Sequence, residues 1–320
     1  MLDSTHLTRG AGSTDRVDTH HHIVPAFYRE WLEMRGYTTG GMPIPQWSVE
    51  SAISFMDAHK IATAILSVST PGAHLGNAIE TRQMARALNI ETAQIVAKNP
   101  DRFGFFATLC LPDVDGSIDE AQRAFDELNA DGIILMTNTD GVYMGDPSLE
   151  PLMGLLNTHG AVVFLHPGAL PAEVAAGVPA YVADFLLDTV RTAVSICKAD
   201  WFEKFPRVRF ILSHAGGFVP FAAYRIARAC APEGNAVLGL ERLKRFYMDT
   251  ALASSPTALP SLFAFADTSR ITFGSDLPYA NAARAGAFTS MLDAYPIDAK
   301  LRAAIARQNA LRLFPRLGRD

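Results

Sequence analysis

The chain has 320 residues, 49% of them apolar and 19% charged, with a net charge of −5 at neutral pH. That composition can bury a large core and excludes a disordered or fibrous chain. A mildly acidic balance gives no basic surface for nucleic acid. Three widely separated cysteines, Cys110, Cys197 and Cys230, exclude a disulfide framework and suit a reducing cytoplasm.

In chain order, residues 1–16 are polar, rich in Ser, Thr and Gly, and lack an apolar signal segment, so they are expected to form a flexible leader. No run reaches the 18 or so apolar residues of a membrane-spanning helix. Strand-length apolar runs follow. They are Val17–His20, Ala62–Val68, Phe103–Leu109, Gly132–Met136, Ala161–His166, Val208–His214, Arg245–Thr250 and Arg270–Asp276. Several are continuously apolar, as strands buried on both faces are.

Between the runs lie helical patterns. Val49, Ala52, Ile53 and Met56 share one face, and 81–98 and 117–129 behave alike. Eight alternating strand and helix units predict a single (β/α)8 TIM barrel domain over 17–320. The Gly- and Pro-rich insert near 29–46 and the long segment 168–204, expected to include an extra helix, read as lids over the barrel mouth.

Histidine placement carries the chemistry. His20 and His22 stand two apart at the end of the first run, so an extended chain points both the same way. His166 ends the fifth run, His214 the sixth and Asp276 the eighth. In a barrel those ends converge on one mouth, where catalytic residues sit. Imidazoles with a carboxylate are donors for zinc or another divalent transition metal. A single histidine after a strand is more often a capped or core residue; three strands ending in His and a fourth in Asp make a shared ion the better explanation. His21 faces away and reads as structural. His6, His59 and His159 are expected to be solvated, and His74 has no informative context.

Val17-Asp18-Thr19-His20-His21-His22-Ile23-Val24-Pro25, with Phe164–Pro167, Ser213–Gly217, Tyr247–Thr250 and Phe273–Pro278, resembles the amidohydrolase superfamily. The likeness is to the branch of aminocarboxymuconate-semialdehyde decarboxylase and related metal-dependent decarboxylases, and it spans nearly the whole chain. It implies that His20, His22, His166 and Asp276 bind one metal, zinc or manganese, and that His214 holds water or substrate and shuttles protons. The bridging carboxylated lysine of binuclear relatives has no counterpart near Met136, which implies a single ion. Arg225 matches an arginine that in such decarboxylases reaches the partner subunit's site, which implies a homodimer or higher oligomer. Tyr181, where some relatives carry Trp, and Asp188 fall on a helix resembling the substrate wall. The stretch Asp184–Thr189 is similar to decarboxylases of methylated salicylate.

The expected activity is non-oxidative decarboxylation of a small hydroxylated aromatic acid of the 6-methylsalicylate type, or of a muconate-like acid. Asp276 is the first choice of proton donor, coupled to His214. A metal-dependent hydrolase of a lactone or related ring is the alternative enzyme, since a metal-lowered water pKa would serve it equally. An inactive barrel acting as a binding scaffold is the alternative from another class. Phe27, Trp31, Trp47, Phe185 and Tyr279 are candidates to line a planar-substrate pocket, Trp47 foremost because it adjoins the Gly/Pro-rich insert.

Overall fold

The computed structural model describes residues 15–172 and 175–318. Nine strands occur among them: β1 Arg16–His22, β2 Ile61–Ser67, β3 Phe103–Thr108, β4 Gly132–Met136, β5 Asn138–Thr139, β6 Val142–Tyr143, β7 Val162–His166, β8 Arg209–Leu212 and β9 Tyr247–Met248. Seven form one parallel sheet in the order β1-β2-β3-β4-β7-β8-β9, each joined to the next by a crossover. β5 and β6 make a small antiparallel hairpin at the mouth that the sequence pattern did not foresee.

The eighth expected run is present, but as isolated bridges rather than a regular strand. Asp18 bridges Phe273, His21 bridges Leu277, and Met248 bridges Ile271. Main-chain bonds from Thr19 N to Phe273 O, from Asp276 N to His20 O, and from Thr272 N to Met248 O close the sheet into the (β/α)8 barrel. Asp276 itself has φ +63, a left-handed conformation that interrupts a regular ladder where the carboxylate must turn inward.

The first strand starts at Arg16, inside the stretch expected to form the leader. The Arg16 guanidinium donates to His59 O and pairs with Asp293. Residues 1–14, and His6 with them, lie outside the described residues. Register against β2 shifts between Asp18 and His21, which lets Val17 and, three residues on, His20 both face the barrel interior. That interior is a packed cluster of Val17, Ile65, Phe106, Ile134, Phe164 and Ile211, sealed from below by Ala310, Leu313 and Phe314. A larger core lies between the strands and the surrounding helices.

The helices over the three expected apolar patterns start on side-chain caps. Ser48 and Ser51 form a capping box on Val49–Ala58, Asn77 caps Ala78–Lys98, and Asp113 caps Val114–Asp126. His59 and His159 are half-buried rather than solvated, because each ring packs on a phenylalanine, Phe55 and Phe125 respectively. The 168–204 segment carries a turn at Ala180–Val182 and the helices Asp184–Lys198 and Trp201–Lys204. It meets the 29–46 insert directly: Tyr181 N donates to Gly40 O at 3.4 Å, and a Cβ on Gly40 would strike the Phe185 ring.

Candidate metal centre

His20 and His22 stand at the end of β1, His166 at the end of β7, His214 two residues beyond β8, and Asp276 in the closing run. One donor atom from each of His20, His166, His214 and Asp276 lies within 4.8 Å of all the others. His22 joins them: its Nε2 is 3.0 Å from His20 Nε2 and 3.2 Å from Asp276 Oδ1. All five side chains are buried.

Ring orientation bears on what the cluster can hold. His20 Nδ1 donates to Asp249 Oδ2 at 2.7 Å, His22 Nδ1 faces the Ser67 carbonyl at 3.2 Å, and His166 Nδ1 faces the Pro167 carbonyl at 3.0 Å. Each outer nitrogen therefore carries the hydrogen, and each Nε2 turns a lone pair inward. Lone pairs 3.0 Å apart repel unless a proton or a cation lies between them. The donor set, three pinned imidazoles and a carboxylate, fits a divalent metal ion.

The electrostatics agree. Burial alone would lower His20, but the Asp249 and Asp276 carboxylates outweigh it and push the imidazole up to about 10. Burial lowers His22 to about 4 despite Asp276, and holds His166 well below its ordinary value. Burial opposes ionisation of Asp276, yet the surrounding imidazoles, His20 foremost, hold it well below the usual carboxylate range. Two acids thus bear on His20, a charge that a doubly charged cation would balance.

His214 differs from the other three. Its Nε2 is 3.5 Å from Asp276 Oδ2, while its buried Nδ1 has no hydrogen-bond partner among the described residues. No outer acceptor fixes its tautomer, which suits a group that passes a proton along. Its backbone is strained, with φ +52 followed by +55 at Ala215, and Asp249 Oδ1 holds it by accepting from His214 N at 2.9 Å. Asp249 is the functional residue that the sequence patterns named but did not assign. It also accepts from Ala251 N, so one carboxylate orients a candidate ligand and the candidate proton carrier together.

A cavity of about 390 Å³ opens above the cluster. Tyr181, Phe185 and Tyr279 line it, as expected. The Tyr279 hydroxyl is buried, and that burial raises its pKa against the opposing influence of the Thr39 hydroxyl. Asp188 is not on that wall. It is buried below, accepting from Thr137, Asn138, the Tyr143 hydroxyl and Gly168 N, and burial raises its carboxyl. Trp47 packs on the main core rather than on the cavity, as does Trp31, which stacks on Tyr28. Phe27 stands outside the cavity as well. Arg225 is exposed on the helix Val219–Ile226 and meets no carboxylate among the described residues. His21 is structural, its Nδ1 3.1 Å from Asp18 Oδ2.

A family model described as amidohydrolase matches residues 17–316. Decarboxylase yanB of Aspergillus niger is 36% identical over 329 residues, covering 94% of this chain and 88% of its own. The 6-methylsalicylic acid decarboxylase of Penicillium expansum is 33% identical over 315 residues, covering 94% and 97%. A solved structure of 2,6-dihydroxybenzoate decarboxylase with 2,6-dihydroxybenzoate superimposes with a TM-score of 0.78 at 26% identity, covering 94% of this chain and 99% of that one.

Proposed function

We infer that this chain, which belongs to the amidohydrolase family, is a metal-dependent, non-oxidative decarboxylase of small hydroxylated aromatic acids, with 6-methylsalicylate-type acids as its substrates. The observation that carries the reading is the pinned set of His20, His22 and His166: the Nε2 atoms of His20 and His22 each lie 3.2 Å from Asp276 Oδ1, and a donor atom of His166 lies within 4.8 Å of His20 and Asp276 donors. Those four side chains would hold one divalent ion, zinc by its affinity for imidazole, with manganese as the other candidate. When bound, the ion supplies Lewis acidity and a template for carboxylate and ortho-hydroxyl oxygens.

The remaining work falls to the chain. The apolar wall with Phe185 and Leu186 seats the planar ring and excludes water. Asp276, protonated by way of His214, delivers that proton to the ring carbon bearing the carboxylate; CO2 then leaves with its bonding electrons returned to the ring, which regains aromaticity. His214, 3.5 Å from Asp276 Oδ2 and free at Nδ1, exchanges that proton with Asp276 between turnovers. Tyr181 borders the ring from the lid. Asp188 contributes by holding the lid base together, and Trp47 by packing the insert, rather than by touching substrate.

The enzyme is a homodimer through the helix Val219–Ile226, whose Phe221 and Tyr224 are 86% and 84% exposed next to Arg225. That face is supported by the size of the apolar exposure beside the cavity rim. No helix is long and apolar enough to cross a membrane among the described residues. The three cysteines are free and buried, which supports a reducing compartment.

The test is to incubate metal-loaded protein with 6-methylsalicylate and follow CO2 and the decarboxylated phenol. Equimolar release of both supports the reading. Hydrolysis of aromatic lactones without CO2 would replace it with the hydrolase, and inertness toward both classes would leave a binding scaffold.

A further inference from the structure

The cavity holds more than the proposed chemistry uses. Its floor is the buried imidazole cluster, and its middle is apolar, with Phe185, Leu186 and Leu252. Its rim changes character. The hydroxyls of Thr257 and Ser261 and the side chain of Arg284 join the lining there, Thr257 and Arg284 exposed and Ser261 half-buried. At about 390 Å³ the space falls in the range of pockets that enclose ligands larger than one small ring.

Arg284 is the one arginine or lysine among the cavity-lining residues. Its guanidinium makes no hydrogen bond or ion pair with any described residue. Arg82, Arg102, Arg123 and Arg242 each meet a carboxylate, whereas Arg284, like Arg225, meets none among the described residues; of those two only Arg284 lines the cavity. Arg284 sits in the first turn of the helix Ala282–Ala294, where Asn281 already caps the backbone. Its main chain is therefore satisfied, and only the side chain is left to meet a ligand.

The reacting carboxylate belongs at the floor, beside Asp276 and His214. A cation at the rim, across an apolar stretch, addresses a different group. Resting on the decarboxylase reading, we propose that Arg284 is a specificity residue for a second anionic substituent, carried on the ring away from the reacting carboxylate. Thr257 and Ser261 bring hydroxyls to the same lining, the Thr257 hydroxyl being 3.0 Å from Ser255 Oγ. Among hydroxylated aromatic acids of the 6-methylsalicylate type, those bearing a distal carboxylate or an equivalent oxygen acceptor are then the more tightly bound substrates.

The test compares salicylate with 4-(carboxymethyl)salicylate, which places a second carboxylate para to the first. The wild-type enzyme is expected to show a KM about tenfold lower for the diacid at similar kcat, as one charge-assisted contact gives. Arg284→Met should bring the two KM values together, and Arg284→Lys should restore part of the gap. Calorimetric titration of both acids into the His214→Ala protein reads the same preference without turnover. A wild-type KM ratio near one, or a ratio that survives Arg284→Met, overturns the assignment. If neither acid is decarboxylated, the decarboxylase reading fails, while the calorimetric ratio still decides the role of Arg284.

Discussion

Asp249 gives the sharpest perturbation because its two oxygens do different work. Oδ2 accepts from His20 Nδ1 at 2.7 Å; Oδ1 accepts from His214 N at 2.9 Å and Ala251 N at 3.0 Å. In Asp249→Asn only one oxygen remains. Facing two main-chain donors, it keeps both bonds and turns the amide NH2 toward His20 Nδ1. That nitrogen must then accept, so the ring hydrogen moves to Nε2, the atom the ion needs. Losing an outer partner of this kind costs about 10- to 100-fold in metal affinity, or roughly 1.4–2.7 kcal/mol. The variant should fold, since both main-chain bonds survive. The assay is competition for the ion against a chromophoric chelator at fixed pH, with a cooperative thermal melt as the control for folding. A folded Asp249→Asn protein binding metal as tightly as wild type would refute the claim that Asp249 sets the His20 tautomer.

The other predictions follow from the same geometry. Asp276→Asn should lose both metal and CO2 release, whereas His214→Ala should keep one equivalent of metal and lose turnover; elemental analysis beside a CO2 assay separates them, and active Asp276→Asn protein would remove Asp276 from the centre. Metal uptake near pH 7 should release about one proton, because the metal-free His20 is raised to about 10 and is charged, whereas His22 and His166 are already neutral and Asp276 ionised. Apparent affinity should then climb about tenfold per pH unit toward pH 10, and calorimetry in buffers of different ionisation heat would contradict this by finding no proton release. By the same sign, His20 protonation supports the metal-free fold fully below about pH 6.5, with the support fading toward pH 10. Finally, mixing Arg225→Ala with His214→Ala protein should recover partial activity through heterodimers, and no recovery would count against a shared site.

Much of the centre is readable from local rules. Two-residue spacing puts His20 and His22 on one side of β1, and strand-end placement brings in His166, His214 and Asp276. These features depend only on strand geometry and barrel topology. Asp249 escaped because its motif, Tyr-Met-Asp-Thr, shows an acid at a strand end without showing which nitrogen it meets; that contact spans 229 residues. Asp188 was placed on the wrong side of its helix. The helix was expected to form a wall, but the buried hydroxyls of Thr137 and Tyr143 and the amide of Asn138 claim the carboxylate from beneath. Trp47 was drawn to the site by its glycine-rich neighbours, yet a large ring beside an insert finds more surface to bury in the core. The closing strand kept its apolar pattern but not its ladder, because Asp276 adopts a positive φ that no composition rule signals.

One measurement addresses the centre itself: metal content per chain together with X-ray absorption at the edge of the bound ion. One equivalent, with the outer-shell scattering of about three imidazoles and a short oxygen neighbour, is the predicted spectrum. An ion surrounded by oxygen alone, or a purified active enzyme with no stoichiometric metal, would contradict the shared coordination by His20, His22, His166 and Asp276.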